Sequence, residues 1–150
     1  MQVLVDADAL PNAVKDILFR AAKRLLIPLT MVANQPMTIE KSKHIKSLVV
    51  SSGPDVADDR IVELVKPGDL VITADIPLAD RVVSKDAYAL DPRGELYTEK
   101  NIKDRLAMRN LMNELRNGGV IEGGPPGFSR KDRQAFADQL NRFLTKHCKP

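Results

Sequence analysis

Residues 3–26 read VLVDADALPNAVKDILFRAAKRLL, and the way this stretch folds decides the architecture. Its first residues, with Gln2, are short, apolar and β-branched, which predicts a buried strand over 2–5. From Asn12 onward the apolar residues fall at helical spacing, so that Val14, Ile17, Leu18, Ala21, Ala22 and Leu25 share one face. Pro11 stands where the first helical turn begins, a place that tolerates its missing N–H. A strand, a tight connection and an amphipathic helix make the opening half of a βαβ unit. Between them stand Asp6 and Asp8, two carboxylates that repel each other. Asp6 lies too far upstream of Pro11 to cap the helix, whereas a divalent cation held by the pair would account for both acids.

The alternation continues along the chain. LTMVA (29–33) and SLVVSS (47–52) read as the second and third strands, and VADDRIVELVK (56–66) reads as a helix stopped by Pro67-Gly68. DLVIT (69–73) is a fourth strand, IPLADRVVSK (76–85) a helix and AYAL (87–90) a fifth, short strand. Strands separated by helices of about ten residues predict an α/β fold, a mostly parallel sheet of about five strands covered by helices on both faces. Beyond Leu90 the pattern changes. EKNIKDRLAMRNLMNELRN (99–117) predicts a long helix with Ile102, Leu106, Leu111 and Leu115 as its apolar stripe. GGVIEGGPPGFS (118–129) is a Gly- and Pro-rich loop, open to reading as a lid or a docking segment. Ser129 with Asp132 forms an S-x-x-D start signal for a last helix. No internal repeat is visible, and 150 residues match one domain, with a core over about 1–92 and a C-terminal helical region over about 93–150.

Composition excludes several classes of function. Aromatic residues make up 4% with no Trp, which argues against a single-strand binder built on base-stacking platforms. The only cysteine, Cys148, rules out an internal disulfide and a thiolate cluster. The N-terminus lacks a basic n-region, and no apolar run approaches the roughly 18 residues of a membrane span, so the expectation is a soluble cytoplasmic chain without a membrane partner. Charge is divided unevenly. Residues 1–90 hold 11 Lys and Arg against 12 Asp and Glu, while residues 91–150 hold 12 against 8. An acidic sheet beside a basic helical region suits an anionic polymer held next to metal ions, although solvated helix faces alone give the same count.

The acids themselves form a pattern. Residues two apart in a strand point the same way, so Asp6 and Asp8 could face one point. Asp75 follows the fourth strand by two residues, Asp58 and Asp59 open the second helix, and Asp80 lies near the first turn after Asp75. Ligands of such sheets gather beyond the carboxyl ends of the strands, the edge where these acids fall. Oxygen-only ligation suits Mg²⁺ or Mn²⁺, whereas Zn²⁺ asks for His or Cys, and His44 and His147 stand far from the acids in sequence. Taken singly, each acid also has a structural reading: Asp75, Asp55 and Asp58 are well placed to cap or polarise a helix N-terminus. Ser51, Ser52, Thr73 and Ser129 have no His partner at a recognisable spacing, and GGPPGF is neither a Walker loop nor a dinucleotide fingerprint. Asn34 and Gln35 follow the second strand on the acidic edge. Arg93 in DPRGELY could bind phosphate or pair with Glu95 or Asp91.

VDADALPNAVK, VANQ, GPDVADDRIVE, GDLVITADIPLAD, LDPRGELYT, LAMRNLMNELR and GGPPGFSRKDRQAF, in this order, closely resemble the YaiI/YqxD family of bacterial proteins, over nearly the whole chain. That family is classed with PIN-like domains, whose relatives include metal-dependent ribonucleases. The resemblance implies a compact PIN-like α/β/α fold with its acids at the sheet's carboxyl edge, and it maps onto Asp6, Asp8, Asp58, Asp59, Asp75 and Asp80. One departure is Leu10, where members often carry Cys, so a thiolate role at that position does not carry over. The resulting expectation is a metal-dependent phosphodiesterase acting on RNA. Asp6 and Asp75 would be its principal ligands of Mg²⁺ or Mn²⁺, with Asp8, Asp58, Asp59 and Asp80 as further ligands or supporting groups. Asn34, Gln35, Arg93, Arg130, Lys131 and Arg133 would contact substrate. Two alternatives stand beside it: a non-catalytic nucleic-acid or protein binding module that keeps the acidic pocket, and a small-substrate phosphatase. Substrate identity and oligomeric state are left open by the residues.

Overall fold

A computed structural model describes residues 1–8, 10–120, 122 and 127–148. Among them, one sheet is formed by β1 (Val3–Asp6), β2 (Leu29–Ala33), β3 (Ile45–Val49), β4 (Leu70–Ile72), β5 (Tyr88–Leu90) and β6 (Leu96–Tyr97). Its order is β3-β2-β1-β4-β5-β6; β1 to β5 pair in parallel and β6 runs antiparallel to β5. The helices are α1 (Asn12–Leu25), α2 (Val56–Leu64), α3 (Ile76–Val83), α4 (Ile102–Asn117) and α5 (Arg130–His147).

The strands are apolar on both sides because both sides are covered. Val3, Val5, Met31 and Ile72 pack against Val14 and Leu18 of α1 and Phe136, Leu140 and Phe143 of α5. Leu4, Val32, Val71 and Ala89 pack on the opposite side against Ile61 of α2, Leu78 and Val82 of α3, and Ile102 of α4. Successive strand residues thus feed two separate cores, as the pleat requires. The result is a three-layer α/β/α arrangement of PIN-like type.

Chain direction places the site. From β1 the chain passes through α1 to β2 and then β3 on one side, and from β3 it crosses through α2 to β4 on the other. The strand order reverses between β1 and β4, and a crevice beyond their carboxyl ends is the general consequence. The first turn of α5 reaches the same edge. Gly94, in the β5–β6 turn with φ +98°, lies so close to α5 that an added Cβ would come within 2.7 Å of the Ala135 carbonyl carbon. Arg93 pairs with Asp132 at 3.2 Å, and a reciprocal capping box joins Ser129 and Asp132 as the sequence predicts. From there α5 runs back down the sheet until Phe143 and His147 reach Tyr88 at the start of β5, with ring centroids 5.0 and 4.9 Å away.

Several expected boundaries shift. β1 extends to Asp6, β3 begins at Ile45 rather than Ser47, and α4 begins at Ile102 rather than Glu99. The two-residue β6 falls in the region expected to be helical; a strand so short leaves no alternation to read. In α4 only Ile102 of the expected stripe is buried, and Leu111 is 49% exposed. Ile102 packs with Leu78 and Val82 of α3, while Met108 and Leu111 are exposed. Part of the Gly- and Pro-rich stretch, residues 121 and 123–126, lies outside the described residues, and with it the lid or docking reading placed on that loop. Among the described residues no helix is long and apolar enough to cross a membrane.

Candidate functional site

Asp6 is the last residue of β1 and lies on the pleat side of Leu4, toward α2 and α3. Thr73 is the first residue past β4 and is fully buried. Its hydroxyl donates to Asp6 Oδ2 at 2.9 Å and accepts the Asp75 backbone N–H at 3.0 Å. One side chain therefore ties the exit of β1 to the turn after β4, across the reversal point. Asp75 is the N-cap of α3, with Oδ1 accepting the Leu78 N–H at 3.0 Å, as its structural reading predicts.

Asp8 looks the other way. Both of its carboxylate oxygens accept the Asn34 backbone N–H, at 2.9 and 3.1 Å, which joins it to the exit of β2. The two opening acids do not share a strand's geometry, because β1 ends at Asp6. Asp6 is held from the β4 side and Asp8 from the β2 side.

The acids nevertheless feel one another. Burial raises the Asp6 pKa above the ordinary carboxylate value, the Thr73 hydrogen bond pulls it back, and the charges of Asp75 and Asp8 push it further up. Asp58, in the first turn of α2, is pushed up to about 6, by burial first and then by Asp75, Asp6 and Asp55, against the pull of Arg81. Perturbed carboxyls that repel each other at a strand-end crevice are a mark of functional sites. Thr73→Val removes the hydroxyl hydrogen bond that favours ionised Asp6. NMR titration of that variant is expected to show the Asp6 pKa moving higher still.

Asp58 supplies a pH dependence of known sign. Its folded-state pKa of about 6 exceeds the ordinary 3.8, so its ionisation opposes folding. The penalty is absent below about pH 4 and complete above about pH 6. In chelator-treated protein, Asp58→Asn should therefore raise stability at pH 7 by about 1 kcal/mol, a figure reduced for solvent screening of a half-exposed group. At pH 4 the same substitution should change nothing. Urea unfolding at the two pH values checks both halves.

The remaining expected residues are spread around this centre. Asp59 pairs with Arg81 at 2.9 Å and Asp80 with Lys103 of α4 at 2.6 Å, so each already has a cation of its own. Gln35 is exposed after β2, and Arg93 is taken up by Asp132. Arg130, Lys131 and Arg133 are exposed in the first turns of α5, at the same edge of the sheet. Asp55, N-cap of α2, adopts φ +62° and makes no side-chain cap hydrogen bond, contrary to its expected capping role.

The donor set fits one kind of cation. Among the described residues no three His, Cys, Asp or Glu side chains are gathered closely enough to enclose a metal ion. Mg²⁺ usually keeps several waters and takes one or two carboxylates, and that is the demand Asp6 and Asp75 can meet; a dehydrated cage is not available. The side-chain oxygen of Asn34, the residue whose backbone N–H bonds Asp8, is a buried hard donor with no hydrogen-bond partner among the described residues.

Thr73 is the residue whose role sequence reasoning missed. Judged as a nucleophile it had no partner, but the signal was present as a polar residue ending the apolar run DLVIT, two residues before Asp75.

The profile described as "Uncharacterized BCR, YaiI/YqxD family" matches residues 4–146. The chain is 60% identical over 146 residues to a UPF0178 protein of Maridesulfovibrio salexigens, covering 97% of each chain. It is 57% identical over 145 residues to a UPF0178 protein of Alkalilimnicola ehrlichii, covering 97% of this chain and 98% of the other. A UPF0178 protein of Burkholderia ambifaria is 58% identical over 150 residues, the full length of both. No solved structure matches.

Proposed function

The chain belongs to the YaiI/YqxD family, and from that premise and the chemistry of its acidic edge we propose a metal-dependent phosphodiesterase that acts on RNA in the cytoplasm. The observation that carries the reading is the Thr73 hydroxyl joining Asp6 to the Asp75 turn, which holds two repelling carboxylates at the reversal point between β1 and β4. A fold that only needed a helix cap would keep Asp75 and leave the end of β1 apolar.

In this reading Asp6 and Asp75 are the principal ligands of Mg²⁺ or Mn²⁺, with Asp58, Asp8 and the Asn34 amide around them. When bound, such a cation lowers the pKa of a water and offsets charge on phosphate oxygens. The protein's own contribution is positional. Thr73 fixes the direction of Asp6, and the Leu78 N–H fixes one oxygen of Asp75, which leaves the other oxygen for a cation. Asp58, with a pKa of about 6, is the group best matched to taking up or giving up a proton near neutral pH. Arg130, Lys131 and Arg133 supply positive charge for the phosphate backbone at the same edge.

The test is incubation of purified protein with end-labelled single-stranded RNA and Mn²⁺, beside Asp75→Asn and a chelator control. Cleavage that depends on Mn²⁺ and on Asp75 supports the reading. Metal binding without cleavage would favour the binding-module alternative, and hydrolysis of a small phosphate monoester but not of RNA would favour a phosphatase.

A further inference from the structure

Between α1 and α5, on the face of the sheet away from Asp6, runs a groove of about 370 Å³ lined by Ile17, Arg20, Ala21 and Arg24 of α1 and Ala137, Leu140, Asn141 and Leu144 of α5. Its floor is apolar, and its polar lining consists of two guanidinium groups and one amide. Arg20 and Arg24 are one helical turn apart and both exposed. On α5, Arg130 and Arg133 precede Ala137 by seven and four residues, so they stand on the helix face that lines the groove. The groove therefore has cations at both ends, over about 21 Å of α5 from Arg130 to Leu144. Among the described residues, no carboxylate pairs with Arg20, Arg24, Arg130 or Arg133.

Both helices run in the same direction. α1 starts just past Asp8, and α5 starts at the β5–β6 turn, so the groove opens at the acidic edge and leads away from it. Four cations without acidic partners among the described residues, arranged in line with that edge, match a chain of repeated negative charges. They do not match a single small anion, because the two ends are several turns apart. The walls offer no aromatic ring, so the ligand's backbone rather than its bases would be held.

We propose that the α1–α5 groove is a binding track for the phosphate backbone of single-stranded nucleic acid, with Arg20 and Arg24 as its distal phosphate contacts. The proposal rests on the RNA reading above for the identity of the polyanion, but it needs neither metal nor cleavage.

The experiment is fluorescence anisotropy of a labelled oligouridylate in EDTA, titrated with wild type, with Arg20→Ala/Arg24→Ala, and with Lys100→Ala/Arg109→Ala, which removes the same charge from the opposite side. The groove variant should weaken binding about tenfold and reduce the slope of log K against log salt by about 1.4, the value for two single-strand phosphate contacts. The control pair should stay within about twofold of wild type. Equal losses in the two double variants, no loss in either, or no binding by wild type would overturn the track. So would retention on anionic lipid vesicles through Arg20 and Arg24 without RNA binding. Because the assay excludes metal, failure of the cleavage test leaves this result standing, and cleavage with unchanged binding in Arg20→Ala/Arg24→Ala removes the track alone.

Discussion

Asp6→Asn is expected to lower Mn²⁺-dependent RNA cleavage by a factor of about 10³ while leaving the fold as stable as before or more so. The two halves follow from the same surroundings. Asp6 is a half-buried carboxylate, desolvated and repelled by Asp75 and Asp8, so its charge weakens the folded state. The asparagine amide keeps an oxygen to accept the Thr73 hydroxyl at little change in shape. A residue that only supported the structure would lose stability on substitution, and activity only as a consequence. Loss of cleavage with a thermal midpoint unchanged or raised separates the two, and parallel kinetics and thermal melts read it directly.

Phe136→Ala is expected to have the largest effect on stability, about 3–5 kcal/mol, which lowers the thermal midpoint of a chain this size by about 10 °C. Phe136 is fully buried where α5 crosses the sheet, within the core shared with Val5, Val14 and Ile72. Neighbours there belong to regular elements that cannot collapse into the space left behind. The loss should extend to function, because the same helix carries Arg130 and Arg133. RNA affinity in the variant is expected to fall at temperatures where the folded fraction is still high, as the first turns of α5 loosen. A thermal melt and an anisotropy titration on one preparation distinguish this from simple unfolding.

The central sheet was legible because its signals are local and redundant. QVLV, LTMVA and DLVIT are largely apolar runs bounded by polar or turn residues, and each is followed or preceded by a helix with one apolar face. Capping was equally readable at Ser129 and Asp75, where the side chain bonds a backbone group three residues on. Long-range geometry was not. That Asp6 and Asp8 are held from opposite sides of β1 depends on where β1 ends and on which strands flank it, and neither appears in a spacing of two. Asp59 and Asp80 looked equivalent to Asp58 in sequence, but their pairing with Arg81 and Lys103 is decided by how α2, α3 and α4 pack. The α1–α5 groove escaped for the same reason, since Arg20 and Arg24 acquire meaning only when a helix more than a hundred residues later lies beside them.

The measurement that bears most directly on the account is calorimetric titration of the chelator-treated wild-type protein with Mn²⁺ at pH 7. Saturable binding, weakening as pH falls through about 6 where Asp58 takes up its proton, is the predicted result. Heats that never saturate, or binding that persists unchanged in Asp6→Asn, would contradict the claim that the acids at the β1–β4 reversal hold a divalent cation.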